Sequence, residues 1–399
     1  MSNNLFSAAF VAALFVSSSL FAQDDAKSDG FVFTTVKEAP ITSIKNQNQT
    51  GTCWAFSSLG FFEAELLRMG KGDVDLCEMF LAHKTYEDRA RASVRLHGDI
   101  SFDQGGSFYD AVYCMRNYGM VPQSAMPEPG SLYGDSLPNF NEFFKIAKGY
   151  VDGIAKGDLK KLSPIWMSTL NGIFDAYLGQ CPDKFSFNGK EYTPMSYMAS
   201  LGLNMDDYIS LTSYTHHPFY QPFILEIQDN WRWGMSYNLP LDEFMQVMEN
   251  AVDKGFSFAW GSDVSEDGFS RDGIAVYPDV AKVRSQDGSD AARWTGMTKQ
   301  DRKKELTSKP LPEVTVTQEM RQVAYDNWET TDDHGMIVYG LAKDQNGKEY
   351  FMVKNSWGSY GNYNGVWYAS KAFVAYKTMN ILIHKDAIPK NIAKKLGIK

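Results

Sequence analysis

The chain has 399 residues, 44% of them hydrophobic and 14% aromatic, with a formal net charge of −9. That composition excludes a disordered or low-complexity protein and supplies a core for one elaborated domain or two to three lobes. An acidic balance, with a pI near 5.3, argues against a nucleic-acid surface, which needs clustered Lys and Arg, and the basic tail from Lys385 to Lys399 is too short to reverse it.

In chain order, the first feature is the apolar run from Leu5 to Ala22, LFSAAFVAALFVSSSLFA, which ends before Gln23-Asp24-Asp25. It reads as a signal peptide over 1–22, so that the mature protein, 23–399, is exported to a bacterial periplasm or beyond and keeps no stable membrane association. The run lacks a preceding Lys or Arg and carries Leu20 where a small residue is preferred. An N-terminal anchor or membrane helix is therefore the alternative, although the run is at the short end of the spanning range. No second stretch is long and apolar enough to span a bilayer.

From Lys45 to Ser57 the sequence KNQNQTGTCWAFS sets Cys53 at the start of an apolar run, with Gln47 upstream. Ala55, Leu59, Phe62 and Leu66 recur at helical spacing, which puts Cys53 in the first turn of a helix, where free N–H groups and the macrodipole favour a thiolate. A thiolate is the nucleophilic form, and the Gln47 amide is suited to donate to an oxyanion formed beside it. Taken alone, Cys53 also fits a buried core cysteine. Cys77, Cys114 and Cys181 form an odd set once Cys53 is kept free; Cys77 and Cys114 read as buried thiols, and a single disulfide stays open.

Further along, Asn139 to Tyr150 has helical apolar spacing at Phe143, Ile146, Ala147 and Tyr150, and Phe185 to Tyr192 reads as a hairpin around Asn188-Gly189. His216-His217 reads as a loop pair. Leu241, Phe244, Met245, Met248 and Val252 form an amphipathic stripe led by Pro240 and closed by Gly255. Ser285 to Glu313, rich in charge, is the candidate for a mobile surface excursion. No Cys-x-x-Cys or His-Glu-x-x-His spacing, phosphate loop or dinucleotide fingerprint occurs, so neither a metal site nor a cofactor is expected.

Near the far end, Met336 to Leu341 and Glu349 to Val353 are strand-like runs joined through Asn346-Gly347, a tight-turn signal. Folding them back brings His334 close to Asn355. An imidazole beside Cys53 can hold its proton, and an amide on the other ring nitrogen fixes its orientation. Asp332 and Asp333, next to the base, read as solvated surface residues.

On these residues the chain resembles the papain-like cysteine peptidases, and more narrowly their bleomycin hydrolase and aminopeptidase C branch. Gln47, Cys53-Trp54, His334 and Asn355-Ser356-Trp357-Gly358 match that family's oxyanion glutamine, nucleophile, general base and orienting asparagine with its covering tryptophan. Gln104-Gly105-Gly106 resembles the glycine pair that meets substrate backbone, and Tyr118 to Pro122 the turn that follows. Phe258 to Val264 and Thr193 to Ser213 are similar to segments of the narrower branch. The likeness covers most of the chain after about residue 40.

The resemblance implies an α+β, two-lobed fold: a helical lobe over about 40–122, a large, mostly helical insertion over about 123–255, and a β-barrel-like lobe over about 256–399, its strands running from about Val323. It implies a Cys/His/Asn acyl-enzyme mechanism on peptides with no cofactor, substrate contacts at Gly105, Gly106, Trp54 and Trp357, and a homo-oligomer, a hexamer in the narrower branch. Three departures bear on this. Thr50 stands where secreted papain-like enzymes carry a disulfide cysteine, which the narrower branch also lacks. The C-terminal arm that enforces aminopeptidase action in bleomycin hydrolases is expected to be missing, which leaves Lys399 as a candidate chain-end carboxylate. The few residues between the expected signal and Cys53 leave no room for a long inhibitory propeptide. Aminopeptidase action is the leading expectation; an exported endopeptidase, an amidase or transpeptidase of the same chemistry, and a silent binding module are the alternatives.

Overall fold

Alternation along three neighbouring strands sets the architecture. In β7 (Phe258–Ser262), β9 (His334–Asp344) and β12 (Thr378–His384), the side chains Phe258, Trp260, Met336, Val338, Ile381 and Ile383 join one apolar cluster, while Ala259, Ile337 and Leu382 join another. A period of two thus gives the sheet two buried faces, each covered by helices. In the computed structural model, residues 30–126, 137–285 and 297–398 are described; the expected signal peptide and Lys399 lie outside them.

The sheet order is β5-β6-β4-β12-β7-β9-β10-β11-β8, with β1 (Phe33–Glu38) pairing along the second half of β9. Here β4 is Tyr208–Thr212, β5 Pro222–Ile224, β6 Met235–Asn238, β8 Ile274–Ala275, β10 Glu349–Lys354 and β11 Val366–Ser370. The Asn346-Gly347 hairpin forms as the sequence suggests, with Lys354 opposite Ile337. Within the expected β-rich lobe, however, the strands already begin with β7 at Phe258, and Val323 lies in the helix Gln318–Asp326.

One face carries α1 (Cys53–Arg68), α2 (Glu78–Arg95) and α3 (Phe108–Asn117), whose core continues through α4 (Asn141–Ala155), α5 (Trp166–Leu178) and α6 (Pro194–Leu201). In α4 the buried stripe is Phe143, Ala147, Val151 and Ala155, while Ile146 is exposed, so the face is turned from the one expected. A small hairpin, β2 (Phe185–Phe187) with β3 (Lys190–Tyr192), closes this side. The opposite face carries α7 (Leu241–Asp253) and the helix Lys390–Leu396, whose Ile392 and Leu396 share a cluster with Phe244 and Met248. The expected insertion therefore divides: its helices α4 to α6 enlarge the helical side, and β4, β5 and β6 extend the central sheet.

All four cysteines are free. The expected excursion after Ser285 falls in part on 286–296, outside the described residues; the remainder includes the helix Lys299–Leu306 and ends at Glu313, which accepts from Tyr277 N–H at 2.5 Å and Ser370 Oγ at 2.6 Å. No helix among the described residues is long and apolar enough to cross a membrane.

A buried arginine locks the sheet's far side. Arg321 is fully buried, and its guanidinium donates to the carbonyls of Ser213 (2.7 Å), Ala375 (3.1 Å) and Thr378 while lying over the Tyr214 ring. Burial pushes its pKa down, and its bonds to Ser213, Ala375 and Thr378 reach carbonyls rather than a carboxylate. Each buried carbonyl left without a donor costs about 1–3 kcal/mol. Arg321→Met is expected to lower unfolding free energy in urea by about 3 kcal/mol or more; a loss below about 1 kcal/mol would show that water replaces the guanidinium.

Candidate active site

The site forms where the N-terminus of α1 meets the start of β9. Cys53 is the first residue of α1, where N–H groups lack intrahelical acceptors. A Cβ at Gly335 would lie 2.6 Å from Ser57 Oγ, so only glycine lets β9 press this close to α1. Cys53, His334, Gly335, Gly106, Asp229, Asp332 and Asn380 line one cavity.

Three consecutive residues after β10 hold three parts of the site. Asn355 Oδ1 accepts from His334 Nε2 at 2.7 Å, which leaves Nδ1 as the ring nitrogen available to a proton from Cys53. Ser356 Oγ donates to Gln47 Oε1 at 2.6 Å. Trp357 stacks on the His334 ring at 4.7 Å between centroids. Gln47 is buried, and its amide also donates to the Thr50 carbonyl at 2.8 Å, leaving one N–H unassigned. The segment carrying Gln47 is tied down by Lys45, which bonds Glu63 of α1 at 2.9 Å and Glu78 of α2 at 2.7 Å, and by Thr42, which donates to Glu63 at 2.7 Å.

Burial pushes the Cys53 thiol up to about 12, against the pull of the Gly335 and Trp54 backbone N–H groups and with a further push from Asp229 and Asp332. Burial likewise lowers His334 to about 4, against the Asn355 hydrogen bond. Desolvation thus opposes the helix-terminus effect on Cys53 and disfavours the charged form of each group taken singly. Proton transfer between them creates two opposite charges together, whose mutual attraction neither group has while its partner is neutral.

The other expected contacts divide. Gly106 lies against the Trp54 ring in the cavity wall. Trp54 itself is buried, with Nε1 donating to the Gln104 carbonyl at 2.9 Å, so it braces the glycine loop. At Gly105 an added Cβ would fall 2.0 Å from the Asp229 carboxylate, and the Gly105 carbonyl accepts from Arg89 at 2.6 Å; this glycine admits Asp229 to the cleft. Asp332 is half-buried and lines the cavity, which corrects its reading as a solvated residue; Asp333 also lines it, but is exposed and accepts from the backbone of Ser265 at 3.1 Å. Sequence reasoning missed Asp229 and Arg89, which sit far apart along the chain without a motif. Ser356 lay inside a recognised motif without an assigned task.

The fold and the site resemble those of papain-like cysteine peptidases. The family model described as "Papain family cysteine protease" matches residues 31–83, the stretch that holds Gln47, Cys53 and the first two helices' start. Within that class the chain is similar to aminopeptidase C of Streptococcus thermophilus, at 24% identity over 91% of this chain and 84% of the relative. It is similar also to aminopeptidase G of Lactobacillus delbrueckii subsp. lactis, at 23% identity over 90% and 84%. Its fold is that of PepW from Lactobacillus rhamnosis HN001, with a TM-score of 0.66 and 21% identity over 91% of this chain and 84% of the other.

Proposed function

We propose that the protein is a cysteine aminopeptidase that removes residues from the amino end of peptides. Cys53 Sγ attacks the carbonyl carbon as its proton passes to His334 Nδ1. The free N–H of Gln47 and the backbone at the start of α1 stabilise the oxyanion; His334 then protonates the departing amine, and water attacks the acyl-enzyme with His334 as base. Three observations support the chemistry: the Asn355–His334 bond, the Ser356–Gln47 bond, and the shared cavity of Cys53 and His334.

The observation that carries the exopeptidase reading is the charge of that cavity. Asp229 and Asp332 line it together with the nucleophile, which gives a peptide's terminal ammonium a carboxylate partner close to the scissile bond. Relatives named aminopeptidase, aligned over nine-tenths of this chain, agree with it. Two further parts of the reading rest on sequence: export, on the run from Leu5 to Ala22, and assembly into a hexamer, on the resemblance to the bleomycin hydrolase branch.

The test compares one fluorogenic peptide bearing a free amino end with its N-acetylated twin, under reducing conditions and with Cys53→Ala as control. Cleavage of the free form alone is expected. Equal cleavage of both would make the protein an endopeptidase, and cleavage of neither would turn attention to amidase or transpeptidase substrates.

A further inference from the structure

Away from the nucleophile, the loop between β4 and β5 and the second residue after β5 bring together a donor set that sequence spacing does not announce. One ligand atom each from His216, His217 and Glu226 lies within 4.8 Å of the other two. His216 Nε2 meets Glu226 Oε2 and His217 Nε2 meets Glu226 Oε1, each at 3.1 Å. Neighbouring ligands around a tetrahedral zinc, bound at about 2.0–2.1 Å, stand roughly 3.3 Å apart. Two imidazoles and a carboxylate are also a donor set that zinc uses.

The rings are fixed before any ion arrives. His216 stacks on Tyr325, with centroids 5.4 Å apart and planes at 18°, and His217 stacks on Phe223 at 4.3 Å and 24°. The backbone beneath them is clamped by fully buried Asn238, whose Nδ2 donates to the carbonyls of Tyr214 at 2.7 Å and His217 at 2.9 Å, and whose Oδ1 accepts from Tyr214 N–H at 2.9 Å. Behind His216, the Gln322 amide lies against Nδ1, its nitrogen at 3.1 Å and its oxygen at 3.4 Å. An amide serves either tautomer: it donates to Nδ1 while Nε2–H faces Glu226, and accepts from Nδ1–H once Nε2 is a ligand. Hydrogen-bonded support of this kind orients metal-binding imidazoles.

We propose that His216, His217 and Glu226 form a binding site for one zinc-class divalent cation, with a further coordination position open to solvent. All three side chains retain solvent access, so an ion has an entry path. Glu226 opens the segment whose Ile227 and Asp229 line the cavity beside Cys53, so the ion ties this wall of the cleft to the β4–β5 loop. The site stands independently of the aminopeptidase reading.

The experiment is calorimetric titration of zinc into the full-length, chelator-stripped chain carrying Cys53→Ala, which removes the nucleophile as a competing ligand. One tightly bound ion per chain is expected, with affinity reduced at least ~100-fold in the His216→Ala/His217→Ala double variant and in Glu226→Gln, and about 10–100-fold in Gln322→Ala. Glu226→Gln keeps the size and shape of the side chain while removing its charge and exchanging one acceptor oxygen for an N–H donor, so it is decisive if the double variant does not fold. Zinc binding that is absent in the parent, or equal in the parent and Glu226→Gln, would overturn the site.

Discussion

Cys53→Ala and His334→Ala are each expected to lower kcat/KM by at least ~10,000-fold, and the double variant to be no worse than the poorer single one, because groups that act as one unit are not additive. The physical reason is that burial disfavours the charged form of each group alone. Burial holds Cys53 near 12 and His334 near 4, so neither residue is reactive without the other: the thiolate forms only as its proton crosses to the imidazole. The pair shares one proton between its two macroscopic titrations. Activity should accordingly be lost on the acid side as a second proton enters near pH 4, and this pair should impose no alkaline limb below about pH 12. Stopped assays across pH on a blocked or unblocked peptide, with folding followed in parallel, check this. A single variant that retains a tenth of the parent rate, or an acid limb centred near the ordinary histidine value of about 6.5, would show that the pair does not work as described.

Much of the site was legible because its parts sit in short, locally determined structures. Cys53 begins a helix because apolar residues start recurring at helical spacing there, and His334 meets Asn355 because the three-residue turn Gln345–Gly347, with one register shift between Met352 and Val353, sets β9 against β10. Local rules of period and turn chemistry reach that far. They do not reach Asp229, which enters the cleft only because Gly105 lacks a side chain and Arg89 of α2 holds the Gly105 carbonyl. The same limit explains the sheet: β4 joins β12, and β6 joins β4 in parallel, pairings between segments far apart in sequence. It explains Ile146 as well, since amphipathic spacing offered two overlapping faces in α4 and tertiary packing chose the one through Val151 and Ala155. The thiolate expectation meets a different limit. Sequence shows the helix terminus but not the depth of burial, and desolvation is the larger effect on Cys53.

Asp332→Asn is expected to raise KM for a free-amine peptide about 30-fold or more while leaving its N-acetylated twin unaffected, since removing one partner of a buried charge pair costs about 2 kcal/mol or more. Burial, then the neighbouring Asp229 and Asp333, lifts the Asp332 carboxyl to about 8, and burial also raises Asp229 despite Arg89 at 3.5 Å. An arriving ammonium reverses that balance, because it pairs with the charged form. A peptide's α-amine titrates at about 7.7–8.0. The preference for free over acetylated peptide should therefore be greatest near pH 8, falling below it as Asp332 stays protonated and above it as the amine loses its charge. The same shift makes a separate claim on stability. Because the folded state holds the Asp332 proton more tightly than the unfolded chain, stability contributed by this group is fully present below about pH 4 and is lost as pH rises through about 8. Asp332→Asn, neutral at every pH, should thus melt at a higher temperature than the parent at pH 9 and at the same temperature at pH 4. If the variant loses both substrates equally, or gains no stability at alkaline pH, the carboxylate is not the amine's partner. A gain in stability together with a loss of amine selectivity is the signature of a charge kept in the cleft, at a cost to the fold, for the substrate it binds.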